Sequence, residues 1–429
     1  LCSSRLGLAE EEFPELAETV DAIYPNAAAV NFLYPYGDLR EVNVHGTREL
    51  LRLACRGRAK RFHFVSTLGV CYTASARELG EDRDLLPFLP DLPLGYAETK
   101  CVAEALVRAA SERGLVASIY RLAPLTGSER TGRANEDDLL SRFVKGCVQM
   151  GAAPDLDVQL DDCPVDFASR ALVALSEEPA NGSLRVYHLK SDKPRHWREL
   201  VLWMNLFGYK VELEPYREWL SRLEEAASHP EHALHPLKPF FSRQVTSRNG
   251  ETVFLPQAYE EGRRTRVRHE KTARRLARLG LTGFRSTPRY LERCFDSFVE
   301  RAVLPQPSRP RPSGGSRTSA IPADRLASVL GRHLRDDSVT ILDLGLTAAG
   351  VEESILTELT SWYTARETGL FRALVRFRTA EGRTRAMRLF LKVKPSDSEV
   401  MEIGRVVAEL CSHRLGVLFD RFKQKLGFS

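Results

Sequence analysis

Long apolar runs are missing from this chain: nothing approaches the roughly 18 consecutive apolar residues of a membrane-spanning helix. A secretion signal is missing too, because Leu1-Cys2-Ser3-Ser4 leads into an acidic segment without a basic start or a long apolar core. The chain does not open on Met, as expected of a fragment or a processed product. Paired cysteines are absent. Cys2, Cys55, Cys71, Cys101, Cys147, Cys163, Cys294 and Cys411 stand far apart with no C-x-x-C, which argues against a zinc ribbon or a redox dithiol. A reducing, cytoplasmic setting is the simplest expectation. There is no strong excess of one charge, and a net charge of +5 is too small to imply a nucleic-acid partner. Internal repeats are not evident.

What remains is an ordinary globular composition, 43% hydrophobic and 28% charged, over 429 residues. That length predicts two or three domains. An acidic amphipathic helix is expected over residues 10–21, with Phe13, Leu16 and Val20 on one side. A short strand follows over residues 20–24, and then Pro25-Asn26-Ala27-Ala28-Ala29, small residues that let a backbone or ligand come close. A helix runs from Leu39 through Asn43, Gly46-Thr47 and Leu50 to Ala54. Arg61 to Thr67 and Ala117 to Leu122 are apolar runs suited to strands buried on both faces, with a helix from Tyr96 between them. This alternation predicts a parallel, doubly wound sheet.

After Gly127 the pattern changes to loops and helices. A helix opens at Asp137-Asp138-Leu139-Leu140, an acidic strand is expected over Leu156 to Asp162, and helices follow near 167–177, 197–206, 216–226 and 269–279. Residues 305–322 are a linker by composition. Beyond it come a helix (Asp324 to Leu334), three strand candidates (Ser338 to Leu344, Phe371 to Arg378, Arg385 to Val393) with Glu381-Gly382 between the last two, and a helix from Val400 to Leu415.

The chemistry centres on Tyr96 and Lys100. Four-residue spacing places both on one helix face. A phenol, which titrates at about 10, needs a nearby cation before it can act as an acid near neutrality. By itself the spacing also fits a half-buried tyrosine beside a solvated lysine. Thr67 supplies context, because it ends a buried strand at the edge where open α/β sheets bind ligands.

Strand–Ser66-Thr67, then Tyr96-x-x-x-Lys100, then a strand with Arg121 resembles the extended short-chain dehydrogenase/reductase family. The thioester reductase branch, found at the ends of nonribosomal peptide synthetases and in carboxylic acid reductases, is resembled more closely. That likeness rests on Gly7-Leu8-x-x-Glu11-Glu12, Ala22 to Asn31, Pro35-Tyr36, Asn43-Val44-x-Gly46-Thr47, Val65-Ser66-Thr67, Gly95-Tyr96-x-x-x-Lys100, Tyr120-Arg121, Gly151-x-x-Pro154-Asp155 and Pro164-Val165-Asp166-Phe167. The resemblance implies a Rossmann-type α/β domain over residues 1–304, incomplete at its N-terminus, with a substrate subdomain at about 127–304. It implies NADPH as cofactor and, as substrate, an acyl thioester on the phosphopantetheine arm of an acyl carrier protein, reduced to an aldehyde or on to an alcohol.

In that reading Tyr96 donates a proton, Thr67 gives a hydrogen bond to the developing oxyanion, and Lys100 holds the nicotinamide ribose and lowers the Tyr96 pKa. Further cofactor contacts are expected at Ala27, Ala28, Asn43, Arg121, Leu122 and Leu125; Asn43 serves equally well to pack its helix on the Asn26 loop. Asp166 is expected to tie down the substrate subdomain. One departure is large. The family's glycine-rich pyrophosphate turn belongs about 70 residues upstream of Leu1, by the size of a βαβ unit, so this polypeptide alone is expected to bind NADPH poorly. Leu122-Ala123 also stands where relatives often have Pro-Gly.

Alternatives are a fatty acyl-CoA reductase, a sugar-nucleotide epimerase, or a catalytically silent docking or scaffold module. His229, His232 and His235 have metal-like spacing, but Pro230 and Pro236 interrupt any helix that would present them. The basic run from Arg263 to Arg278 reads as a solvated face, or as a dock for an acidic carrier protein. Residues 323–429 resemble the small α+β N-lobe of an aminoglycoside-phosphotransferase-type kinase. There Lys392 would meet ATP phosphates and Glu402 or Glu409 would position it, while the family's catalytic loop is absent.

Overall fold

A computed structural model describes residues 2–307 (apart from 180, 181, 183, 193, 247–249, 285 and 287), isolated positions between 327 and 336, and residues 338–348 and 369–393. The chain divides into two units, Leu1–Arg311 and Pro312–Ser429. At the centre of the first, four strands pair in parallel in chain order: β1 (Ala22–Ile23), β2 (Arg61–Thr67), β3 (Ala117–Leu122) and β4 (Arg185–Leu189). No residue of β2 or β3 is exposed, which is why both sequences run apolar without alternation. Of the strand expected over 20–24 only two residues pair. Pro25 has no N–H to offer the ladder, though its carbonyl still accepts from Val65 N–H.

Helices cover both faces of this sheet. α1 (Glu12–Thr19) precedes it; α2 (Tyr36–Arg40) continues through a π turn (Glu41–His45) into α3 (Gly46–Cys55) between β1 and β2. α4 (Gly95–Glu112) joins β2 to β3, and α5 (Leu139–Met150) and α6 (Val165–Ser176) join β3 to β4. On one face Phe62, Phe64, Ile119 and Val186 pack with Leu51 and Leu53 of α3 and Ala103 and Val107 of α4. On the other, the Tyr24 hydroxyl donates to Ser176 Oγ at the end of α6 (3.0 Å). The result is the expected doubly wound parallel arrangement.

The start of α4 is set by one close approach. A Cβ on Gly95 would lie 2.5 Å from both Tyr34 O and Tyr36 N, so only glycine lets this helix begin against the start of α2. Residues after β3, together with Leu68, Val70 and Tyr72 from the segment after β2, build a second, larger core in which Phe143 of α5 stacks on Trp197 at 4.4 Å and meets Trp219 edge-on at 5.9 Å. Those tryptophans belong to α7 (Trp197–Phe207) and α8 (Tyr216–Ala226). The acidic strand expected over 156–162 shrinks to Gln159–Leu160, paired with Arg195–His196. Asp161 leaves the ladder for an ion pair with Lys190 at 2.7 Å, and Cys163–Pro164 then pairs with Leu125–Thr126.

The second unit contains an antiparallel sheet of Thr340–Ala348, Gly369–Arg378 and Thr384–Val393. Gly382 turns the last hairpin with φ 73°. Lys392 lies on the final strand opposite Leu370. Most of the 324–334 helix, the 400–415 helix, Glu402 and Glu409 lie outside the described residues.

Candidate functional site

Thr67, Leu122 and Leu189 pair in register, so three strands end level at the carboxyl edge of the sheet. Thr67 Oγ accepts the Gly69 N–H at 3.1 Å and caps the short turn Leu68–Cys71. Accepting that bond orients the oxygen and leaves the hydroxyl hydrogen free to donate. The turn leans on the first turn of α4: a Cβ on Gly69 would sit 3.3 Å from Thr67 Oγ and 4.0 Å from Ala97 Cβ. Thr67 is thereby brought against the turn that carries Tyr96.

Tyr96 is half-buried, and no group among the described residues bonds its hydroxyl. Lys100, one turn on, is only 4% exposed. Its ammonium gives one N–H to Val65 O at 2.7 Å and stands 4.1 Å from the centre of the Phe64 ring. Its other two N–H groups have no partner among the described residues. Burial, opposed by Glu104, brings Lys100 down from 10.5 to about 8. Burial also pushes the Tyr96 hydroxyl up to about 12. This is the reverse of the lowering expected from Lys100, whose charge is turned to Val65 and Phe64.

The segment after β1 is held to this site by Asn43. Its Oδ1 accepts from Ala29 N–H at 2.8 Å, while its Nδ2 donates to Ala29 O and Thr99 Oγ, each at 3.0 Å. Ala27 and Ala28 sit just before that anchor in irregular backbone, and their N–H groups make no hydrogen bond among the described residues. The Asn43 side chain is therefore committed to packing. Leu122 is partly buried at the strand edge, and Leu125, 40% exposed, opens the short strand after it. The Arg121 side chain, by contrast, is turned into the protein and fully buried.

Arg121 meets a residue that sequence reasoning passed over. Glu104 of α4 takes its guanidinium through Nη2 at 2.6 Å and Nε at 3.1 Å. The remaining donors reach Glu81 O and Arg83 O at 3.4 Å and His188 Nε2 at 3.1 Å. His188 Nδ1 in turn bonds Arg268 O at 2.6 Å. Burial and the Arg121 charge hold His188 well below its ordinary pKa; it is neutral, with its proton on Nδ1. A signal existed in the sequence, since Lys100, Glu104, Val107 and Ser111 share one helical stripe, and charge on an apolar stripe asks for a buried partner.

Asp166 clamps the loop after Thr126, accepting from Ser128 Oγ at 2.8 Å and Glu129 N–H at 2.9 Å. Burial would raise its pKa, but these bonds outweigh it and hold the carboxyl below its ordinary value. The basic run is largely paired within the domain. Arg263 is buried over Tyr72 and Tyr259, Arg268 meets Glu78, Lys271 meets Asp82, and Arg275 meets Glu178. These contacts fasten α9 (Glu270–Arg278) to the loop between β2 and α4 and to the end of α6. His235 Nδ1 bonds Ala227 O at 2.8 Å, a structural contact.

A family model described as "Male sterility protein", an NAD-binding family, matches residues 1–172. A linear gramicidin synthase chain of Brevibacillus parabrevis is 37% identical over 265 residues, 59% of this chain and 5% of that protein. The large subunit of L-2-aminoadipate reductase from Eremothecium gossypii is 38% identical over 251 residues, 55% of this chain and 18% of its own. The chain thus spans a small part of these curated relatives. Among solved structures, the terminal R domain from the myxalamid PKS-NRPS biosynthetic pathway is 40% identical, with a TM-score of 0.63 over 72% of this chain and 75% of that one. The reductase domain of a Mycobacterium tuberculosis nonribosomal peptide synthetase shares the fold, with a TM-score of 0.55 at 22% identity over 71% of this chain and 75% of that one.

Proposed function

Because its first unit belongs to the family of terminal reductase domains, we propose that this protein reduces an acyl thioester, carried on a phosphopantetheine arm, to an aldehyde at the expense of NADPH. One observation carries the reading. The Thr67 hydroxyl hydrogen, the Tyr96 hydroxyl and two Lys100 N–H groups are all left without partners among the described residues, at one strand edge and the helix turns beside it. Spare donors gathered at the carboxyl edge of an open α/β sheet, where such sheets bind ligands, suit an oxygen-rich ligand.

These donors fit the ribose end of a nicotinamide nucleotide, with Lys100 for the ribose hydroxyls and the free N–H groups of Ala27 and Ala28 beside the same edge. The bound cofactor supplies a hydride for the thioester carbonyl. Thr67 and Tyr96 then stabilise the charge that builds on the carbonyl oxygen, and Tyr96 gives it a proton. Collapse of the resulting hemithioacetal releases the thiol and the aldehyde. With its pKa above neutrality, Tyr96 keeps its proton until the oxygen needs it.

The test offers the full-length protein an acyl-carrier thioester and NADPH and follows aldehyde formation together with loss of reduced nicotinamide. Tyr96→Phe should all but abolish both. Turnover equal to wild type in that variant removes Tyr96 from its role, and no turnover by wild type leaves the silent docking reading. Carrier docking at Arg274 and Arg275 is tested by charge reversal there, which should weaken apparent carrier affinity. For the second unit, the resemblance alone suggests a nucleotide-phosphate site at Lys392, which lies on the final strand; ATP binding that survives Lys392→Ala would remove it.

A further inference from the structure

We propose that the buried Glu104–Arg121 pair is a positioning device for Lys100: Arg121 holds the Glu104 carboxylate, so that the lysine stays on Val65 with two donors free. The role given to Lys100 rests on the reductase reading; the pair itself does not. Lys100 and Glu104 lie one turn apart on the buried stripe of α4, the spacing at which a lysine and a glutamate join directly. They do not join. The carboxylate on that stripe beside Lys100 is held by Arg121 through two nitrogens, a geometry a point-charge ammonium does not match.

Arg121 is itself fixed from three directions: the Glu81–Arg83 loop before α4, His188 of β4, and β3, which carries it. It therefore ties the rotation of α4 to the sheet. No other charge among the described residues competes for Lys100. From β2 it meets Val65 O and Phe64, and His63 is bonded to Tyr120. From the π turn Asn43 is bonded to Thr99, and from α3 Glu49 is held by Arg48 and Arg52. From the turn after β2, Cys71 is kept a neutral thiol by burial. On α4 itself, burial keeps Tyr96 and Cys101 neutral. Without Arg121, the bare carboxylate of Glu104 becomes the strongest acceptor within reach of the lysine.

The experiment follows the Lys100 side-chain nitrogen resonance against pH in the full-length protein, assigning it by its loss in Lys100→Met. In Arg121→Met the midpoint should rise by about one pH unit or more as the carboxylate captures the ammonium. NADPH affinity, read by fluorescence, should fall at least about tenfold, the value of a hydrogen bond to a charged group. Glu104→Gln/Arg121→Met should restore affinity to near wild type. An unmoved midpoint in folded Arg121→Met overturns the proposal, as does a double variant that binds NADPH as poorly as Lys100→Met. If Arg121→Met does not fold, the double variant decides alone, because removing both charges of a buried pair is tolerated where removing one is not. Wild-type protein that fails to bind NADPH would sink the reductase reading and leave the titration result standing.

Discussion

The first turns of α4 and the turn that follows treat buried polar groups in opposite ways. Tyr96 and Lys100 keep a hydroxyl and two N–H groups unpaired among the described residues, whereas Glu104 and its partner Arg121 spend nearly every donor and acceptor they have. Burying the Lys100 ammonium on a single hydrogen bond costs stability that the fold must recover elsewhere. The satisfied turn is the one held to the sheet, through Arg121, and the proposed ligand would meet the other. Stability and activity should therefore separate along one helix.

Four measurements break or sharpen this contrast. Tyr96→Phe should lower turnover by roughly 10²–10⁴, the range for a general acid, while the thermal midpoint stays at its wild-type value because the hydroxyl bonds nothing among the described residues. Glu104→Ala should do the opposite first, destabilising the domain by roughly 3–5 kcal/mol in denaturant titration by stranding a buried guanidinium. Lys100 sits between the two. Its folded pKa, about 8, lies below the ordinary 10.5, so the unfolded chain binds the extra proton between those values and stability rises with pH across that window. Relative to Lys100→Met, wild type should gain about 3 kcal/mol from pH 8 to 10.5, and parallel pH curves would show that the ammonium carries no burial penalty. Asn43→Ala should cost about 2 kcal/mol, for the loss of its bonds to Ala29 and Thr99. It should also speed hydrogen exchange at residues 27–29 before any other part of the sheet.

Much of the first unit was legible because its signals are local. β2 and β3 fall where two runs are apolar on both faces, and α4, α7 and α8 follow periodicity. Tyr96 and Lys100 were legible as a spacing, and Thr67 as the end of a strand. The acidic strand over 156–162 was misread because alternation of Leu and Asp satisfies a strand template, yet Asp161 had an ion-pair partner 29 residues away that no local pattern shows. Asn43 was readable only as a choice between two roles, and the choice turned on which atoms lay opposite its amide.

The sequence by itself determined the elements, their parallel order and the small set of side chains able to do proton chemistry, because periodicity, chain direction and intrinsic pKa values are properties of residues and their spacing. Only the tertiary structure decided which of those side chains are free. Lys100 and Glu104 carry the same local invitation to pair, and what separates them is Arg121, delivered from a different strand. Partners of that kind come from chain closure over many residues, so they exist only once the sheet has formed.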